Sequence, residues 1–201
     1  MQDVETDSYW SIITGDSLAG ELRGTALEEL PVSVKTQFGD WVEQYPDTLV
    51  LSVDNVEHED HNPYDNYFKS GRAFQGGKAE DKRLPTKASI YSFQLDGRAY
   101  AVPFEAYEGG ATFEAAGRRI FLYRPDGVEI FHSTVALQSR DSGFELRGGD
   151  WVHTGSGARF DPDAGSFVDG DADVVWLDGF DTFWFNWSMT HPETEVLKAG
   201  R

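Results

Sequence analysis

Two eleven-residue stretches of the chain carry one pattern. Trp41 is followed at fixed offsets by Tyr45, Pro46, Asp47, Thr48, Val50 and Leu51, and Trp187 by His191, Pro192, Glu193, Thr194, Val196 and Leu197. The shared string is W-x-x-x-[YH]-P-[DE]-T-x-V-L, without a gap. Gap-free self-similarity of this kind marks corresponding parts of a duplicated unit. The two stretches therefore register the whole chain. The second copy reads as complete, and the first keeps only its closing third. On this reading residues 1–53 are a truncated first repeat, 54–86 an inter-repeat loop and 87–201 a complete second repeat, all within one domain of 201 residues. A fainter echo supports the registration: Asp163-Ala164-Gly165-Ser166-Phe167 resembles Glu5-Thr6-Asp7-Ser8-Tyr9.

Periodicity between the copies points to β-structure. Apolar Phe38, Trp41 and Val42 share one helical face and Pro46 stops the run, so 36–44 is a helix candidate. Residues 48–53 are β-rich in type and read as a buried strand. Residues 87–95 and 99–104 flank Asp96-Gly97, a favoured hairpin turn. Short apolar runs at 119–123, 127–132, 144–147 and 151–153 follow, each bounded by Gly, Asp or Pro. Residues 183–189 form a second helix candidate, again ended by proline. The expected fold is mainly β, a β-rich α+β chain forming a compact sandwich or rolled sheet with two short helices. Each twin stretch then closes its repeat as helix, turn and strand, with Trp41 and Trp187 as core anchors.

Charge narrows the setting. Thirty-five acids against 17 bases give a net charge of -18. Self-repulsion at that charge costs stability in dilute buffer and favours solubility where salt screens it. A salt-rich, halophilic cytoplasm is the expected location. Nucleic acid is a poor partner for such a chain, because phosphate binding needs a concentrated basic surface. The absence of cysteine excludes disulfides, thiolate metal sites and cysteine nucleophiles. No apolar run approaches the 18 residues of a membrane helix.

The motifs also resemble a family of bacteria and archaea catalogued as domain of unknown function 3179. Those that carry the resemblance are Asp3-x-Glu5-Thr6-x-Ser8-x-Trp10-Ser11; Gly15, Gly20 and Gly24; the Trp41 stretch; Pro63-Tyr64-x-x-Tyr67; Arg83-Leu84-Pro85-x-Lys87; Asp96-Gly97-x-Ala99-Tyr100-Ala101-x-Pro103; and Phe183-Trp184-Phe185-x-Trp187 with His191-Pro192-x-Thr194. The resemblance implies no established activity. Typical relatives carry an upstream segment with His-Glu and Cys-containing stretches suited to metal or redox work, and no position here matches them. Met1 is accordingly read as an internal methionine of a longer ancestral domain. The strands missing from the first copy would leave a sheet edge open to a second subunit or a protein partner.

Local chemistry is sparse. His58, Asp60 and His61, flanked by Glu57 and Glu59, could hold a divalent metal if the loop folded back. Against this, carboxylates near any histidine are expected at such acidity. His191 stands where the first copy has Tyr45, and either ring suits packing better than catalysis. His132 and His153 read as structural, and Thr48 and Thr194 as turn residues. The aspartates from Asp161 to Asp173 miss the EF-hand spacing. No nucleotide-binding fingerprint, P-loop or nucleophile elbow is present. The functional expectation is a non-catalytic binding or protein-interaction module, with a metal-binding protein or metal-dependent enzyme at His58, Asp60 and His61 as the alternative. The residues that define its structural motif are Trp10, Trp41, Pro46, Thr48, Trp187, His191, Pro192 and Thr194.

Overall fold

Short strands, each bounded by a residue able to turn the chain, supply most of the regular structure. The computed structural model describes residues 1–28, 35–51, 64–73, 76–128 and 132–199. They fall into two units, Met1–Ser33 and Val34–Arg201.

The first unit is a three-stranded antiparallel sheet of β1 (Gln2–Asp3), β2 (Ser8–Trp10) and β3 (Ser17–Ala19), in that order. Its acidic motif is turn chemistry. The Asp3 carboxylate accepts from the Glu5 backbone N–H at 2.9 Å and from the Thr6 hydroxyl, and these bonds hold its pKa below the usual carboxylate value. Gly20 has a φ of 95°, and a Cβ there would lie 2.4 Å from the Asp7 carbonyl oxygen and from Ser8 Cα. Only glycine permits that approach.

In the second unit, α1 (Phe38–Gln44) and α2 (Asp65–Lys69) precede the hairpin of β4 (Ser89–Leu95) and β5 (Arg98–Pro103). Asp96 and Gly97 turn it with φ values of 50° and 75°, the left-handed pair a two-residue loop requires. A 3-10 turn, Phe104–Ala106, leads to a second hairpin, β6 (Ala111–Ala115) and β7 (Arg118–Tyr123). Then come β8 (Val135–Ser139), β9 (Phe144–Arg147), β10 (Asp150–His153), β11 (Arg159–Asp161), β12 (Ser166–Val168), β13 (Val175–Trp176) and β14 (Gly179–Phe183). The last elements are α3 (Trp184–Thr190) and β15 (Glu195–Val196).

These strands form three open four-stranded sheets, ordered β14-β4-β5-β15, β13-β8-β7-β6 and β12-β11-β10-β9. All neighbours are antiparallel except β15, which runs parallel to β5. Alternation along β7 explains the layering, since successive side chains leave a strand on opposite faces. Ile120 and Leu122 enter a core with Tyr91, Phe93, Tyr100 and Val102 of the first sheet. Phe121, between them, enters a second core with Phe144 and Phe160. Its ring centroid lies 4.9 to 5.5 Å from those of Phe160, Trp151, Phe167 and Phe144. The mainly β expectation holds, with three departures. A third helix, α2, lies in the stretch expected as loop. Residues 49–51 join no strand, and 52–53 fall outside the described residues. Gly127, Val128 and His132 are likewise outside any strand, and 129–131 are not among the described residues. No helix among the described residues is long and apolar enough to cross a membrane.

Candidate functional site

The two Trp stretches have one local geometry. Each starts within a seven-residue helix that begins three residues before its tryptophan, α1 for Trp41 and α3 for Trp187. Each helix ends on an aromatic ring with nearly the same backbone, Tyr45 at φ -127° and ψ 74°, His191 at φ -129° and ψ 70°. Proline follows and cannot continue the helix. The ring folds back on the indole, at a centroid distance of 4.3 Å for Trp41 and Tyr45 and 3.9 Å for Trp187 and His191. The indole N–H then donates to the threonine hydroxyl at 2.8 Å in both, Trp41 to Thr48 and Trp187 to Thr194. Thr48 and Thr194 therefore do more than cap a turn: each satisfies an indole donor seven residues back.

Their surroundings differ completely. The second stretch is seated. Trp187 and Thr194 are each 1% exposed, and Phe180 meets the Trp187 ring edge-on at 5.7 Å. Glu195 pairs with Tyr100 and Val196 with Ala101, and Leu197 N–H donates to the Ala101 carbonyl at 2.9 Å. Arg83 clasps the turn, donating to the Thr194 carbonyl at 2.6 Å and the Pro192 carbonyl at 3.1 Å while its fork holds Asp81. That hydrogen bond from Arg83 lowers the Asp81 pKa. Trp184 donates from its indole to the Asp81 carbonyl at 3.0 Å and lies under the Arg83 guanidinium. Lys87 sits beside Phe183, the residue before α3. Its ammonium donates to the Tyr67 carbonyl and sits 3.7 Å from the Tyr67 ring, with Phe183 and Phe68 at 5.2 and 5.7 Å. Burial among these rings lowers its pKa.

The first stretch is open. Trp41, expected in the core, is 39% exposed, and Leu49 and Leu51 are 94% and 93% exposed. Phe38 and Tyr45 are exposed as well. Among the described residues, no side chain donates to the carbonyls of Pro46 or Thr48. The same local fold is thus present twice, once against a strand and a guanidinium and once, among the described residues, without either.

A second feature lies in the β14–β4 region. A recess of 230 Å³ is lined by Lys35, Phe68, Ser89, Phe104, Asp181, Thr182 and Phe183. Asp181 belongs to β14 and its side chain is buried. The carboxylate accepts from the Thr134 N–H at 2.9 Å and the Thr134 hydroxyl at 2.6 Å, and that hydroxyl lies 2.9 Å from the Tyr107 hydroxyl. The buried Arg124 guanidinium approaches to 3.8 Å, donates to the His132 carbonyl and stacks 4.0 Å over Phe104. Burial pushes the Asp181 pKa up, against the Thr134 bonds and the charges of Lys35 and Arg124. Burial also drives the Tyr107 phenol well above its ordinary value. Sequence reading missed this cluster, because its members come from four separate stretches with no motif around any of them.

The model of the family described as protein of unknown function (DUF3179) matches residues 1–194. The chain belongs to that family. No curated protein and no solved structure matches it. In this DUF3179 chain several motifs read from the sequence are engaged in packing: Arg83 clasps the second Trp stretch, Lys87, Tyr67 and Phe183 cluster together, and Gly20, Ser8 and Trp10 belong to the first unit. Ser8 and Trp10 are buried, and the Ser8 hydroxyl accepts from the Leu22 N–H at 3.0 Å.

The expected metal ligands His58, Asp60 and His61 lie outside the described residues. Among the described ones, no three His, Asp or Glu side chains are grouped to hold an ion. Three of the aspartates of 161–173 have separate partners. Asp161 accepts from the Asp163 and Ala164 N–H groups, Asp169 pairs with Arg159 at 2.8 Å, and Asp173 lies 3.0 Å from His153 Nε2. That last contact is close but poorly aligned for a hydrogen bond, whereas His153 Nδ1 is 2.9 Å from the Ser156 hydroxyl. His153 is a buried histidine of β10.

Proposed function

We propose that this DUF3179 chain is a non-catalytic interaction module that engages a partner through the open Trp stretch, residues 38–51. One observation carries the reading: the stretch repeats the internal geometry of a segment that elsewhere in the chain is buried, yet its own apolar side chains face solvent. Exposed large apolar groups gathered on one short segment are characteristic of interaction surfaces. Descent of both stretches from one duplicated unit explains why the open one retains the residues of a seated one. A net charge of -18 supports a salt-rich cytoplasm as its working environment.

The test is purification of the chain from its native cells in high salt, beside a Leu49→Asp, Leu51→Asp variant. The expected result is a stoichiometric companion, a second copy or another protein, that the variant loses while melting at the same temperature. Identical recovery of both as bare monomers would overturn the reading.

A further inference from the structure

The seated stretch indicates what the open one fits. Its closing residues add a parallel strand to the edge of β5, the second strand of an antiparallel hairpin, while the Arg83 guanidinium caps the Pro-x-Thr turn from the side. Both elements are already used within the chain. The β5 edge is filled by β15, and Arg83 is bonded to the second turn. The first stretch is nonetheless preformed: its helix, ring stack, indole bond and turn match those of its twin with no strand or guanidinium against them among the described residues. It has little ordering entropy left to lose on docking.

Sequence differences sharpen the requirement. The residue before the shared valine is Glu195 in the seated copy and Leu49 in the open one. Glu195 remains exposed after docking, so the outer face of that strand is wet. Leu49 on the same face calls for an apolar cover there. Two turn carbonyls that accept from no side chain among the described residues, in a chain of net charge -18, favour a guanidinium on the other side.

We propose that residues 38–51 dock onto a β-hairpin of a separate polypeptide. Residues 49–51 run parallel to the free edge of the hairpin's second strand, an arginine of the partner donates to the Pro46 and Thr48 carbonyls, and an apolar group covers Leu49. This is strand addition, in which main-chain hydrogen bonds give affinity and the Trp41 and Leu49 contacts give specificity. The inference rests on the interaction reading above and adds the form of the partner.

The probe is a synthetic peptide of residues 81–103, which contains the clasp and both hairpin strands with no third strand on its edge. A disulfide engineered across its strand ends holds the pairing, because an isolated hairpin is marginal in water. A fluorescent label on the peptide reports binding to the full chain by anisotropy. Saturable one-to-one binding is expected. Leu51→Pro removes the N–H equivalent to that of Leu197 at an exposed position, and it should weaken binding by about tenfold, the scale of one backbone hydrogen bond. Arg83→Ala in the peptide should weaken it too. Absence of saturable binding, or equal affinity for the Leu51→Pro chain, would overturn the proposal. A companion found in the purification above, together with no binding of the peptide, would sink the hairpin mode and leave the interaction reading standing. Failure of both would sink both.

Discussion

The Trp187 indole donates to the Thr194 hydroxyl at 2.8 Å with both residues excluded from water, and the matching bond from Trp41 to Thr48 has the same length at the surface. The pair therefore offers one interaction in two environments, so the same substitution can be made in each.

Trp187→Ala should cost about 3 to 5 kcal/mol, as removal of a large buried aromatic does. Trp41→Ala should cost under about 1 kcal/mol, the range of surface changes. Thr194→Val should cost about 1 to 3 kcal/mol by leaving a buried indole N–H without its acceptor, and Thr48→Val little. Chemical denaturation of the four variants checks this. Comparable losses at Trp41 and Trp187 would mean that the first stretch is covered within the isolated chain.

Arg83→Lys should destabilise the chain by about 1 to 2 kcal/mol, because an ammonium cannot span the Pro192 and Thr194 carbonyls while holding Asp81. Thermal melts of Arg83→Lys and Arg83→Ala provide the comparison. A lysine variant as stable as wild type would show that charge alone suffices.

Burial raises the folded-state pKa of Asp181 above its unfolded value, so the folded protein holds this proton more tightly. The sign follows: as pH climbs from the ordinary carboxylate value, about 3.9, the unfolded chain ionises first and this residue's contribution to stability falls. The fall ends above the raised folded value. Subtracting the stability-against-pH curve of Asp181→Asn from that of wild type isolates the effect among the many other acids. A difference that grows with pH would mean that Arg124, Lys35 and the Thr134 bonds outweigh burial.

Thermal stability should rise from about 0.1 M to about 1 M KCl, over which the Debye length falls from about 10 Å to about 3 Å and self-repulsion is screened. Calorimetric scans at fixed pH decide it. A melting temperature indifferent to KCl would mean that the charge of -18 is not limiting.

Much of the architecture was legible because it depends on local backbone rules. Asp96-Gly97 turns the hairpin where a two-residue loop needs left-handed residues, and prolines end α1 and α3. Of the strand expected at 48–53, the described residues 48–51 join none, for a physical reason: residues 49–51 and 195–197 share their valine and leucine, but a strand is completed by a neighbour, and among the described residues only the later stretch pairs with one. Helix α2 is five residues long, too short for a 3.6-residue period to emerge, and its Asp65–Lys69 ion pair is its one local signal. Asp181 is one aspartate among many, and only tertiary packing brings Thr134, Arg124 and Tyr107 around it.

The twin stretches also bear on how the chain reaches its fold. Residues 49–51 are synthesised before β5, and they lie closer to it in sequence than residues 195–197 do. Loop closure therefore favours the first stretch as the earlier occupant of the β5 edge. If it does occupy that edge first, the C-terminal stretch must displace it to reach the pairing seen in the finished fold. The segment left at the surface of the finished molecule would then be a spent placeholder. A slow refolding phase present in wild type and absent in Leu51→Pro would be its signature, and identical refolding traces would count against it.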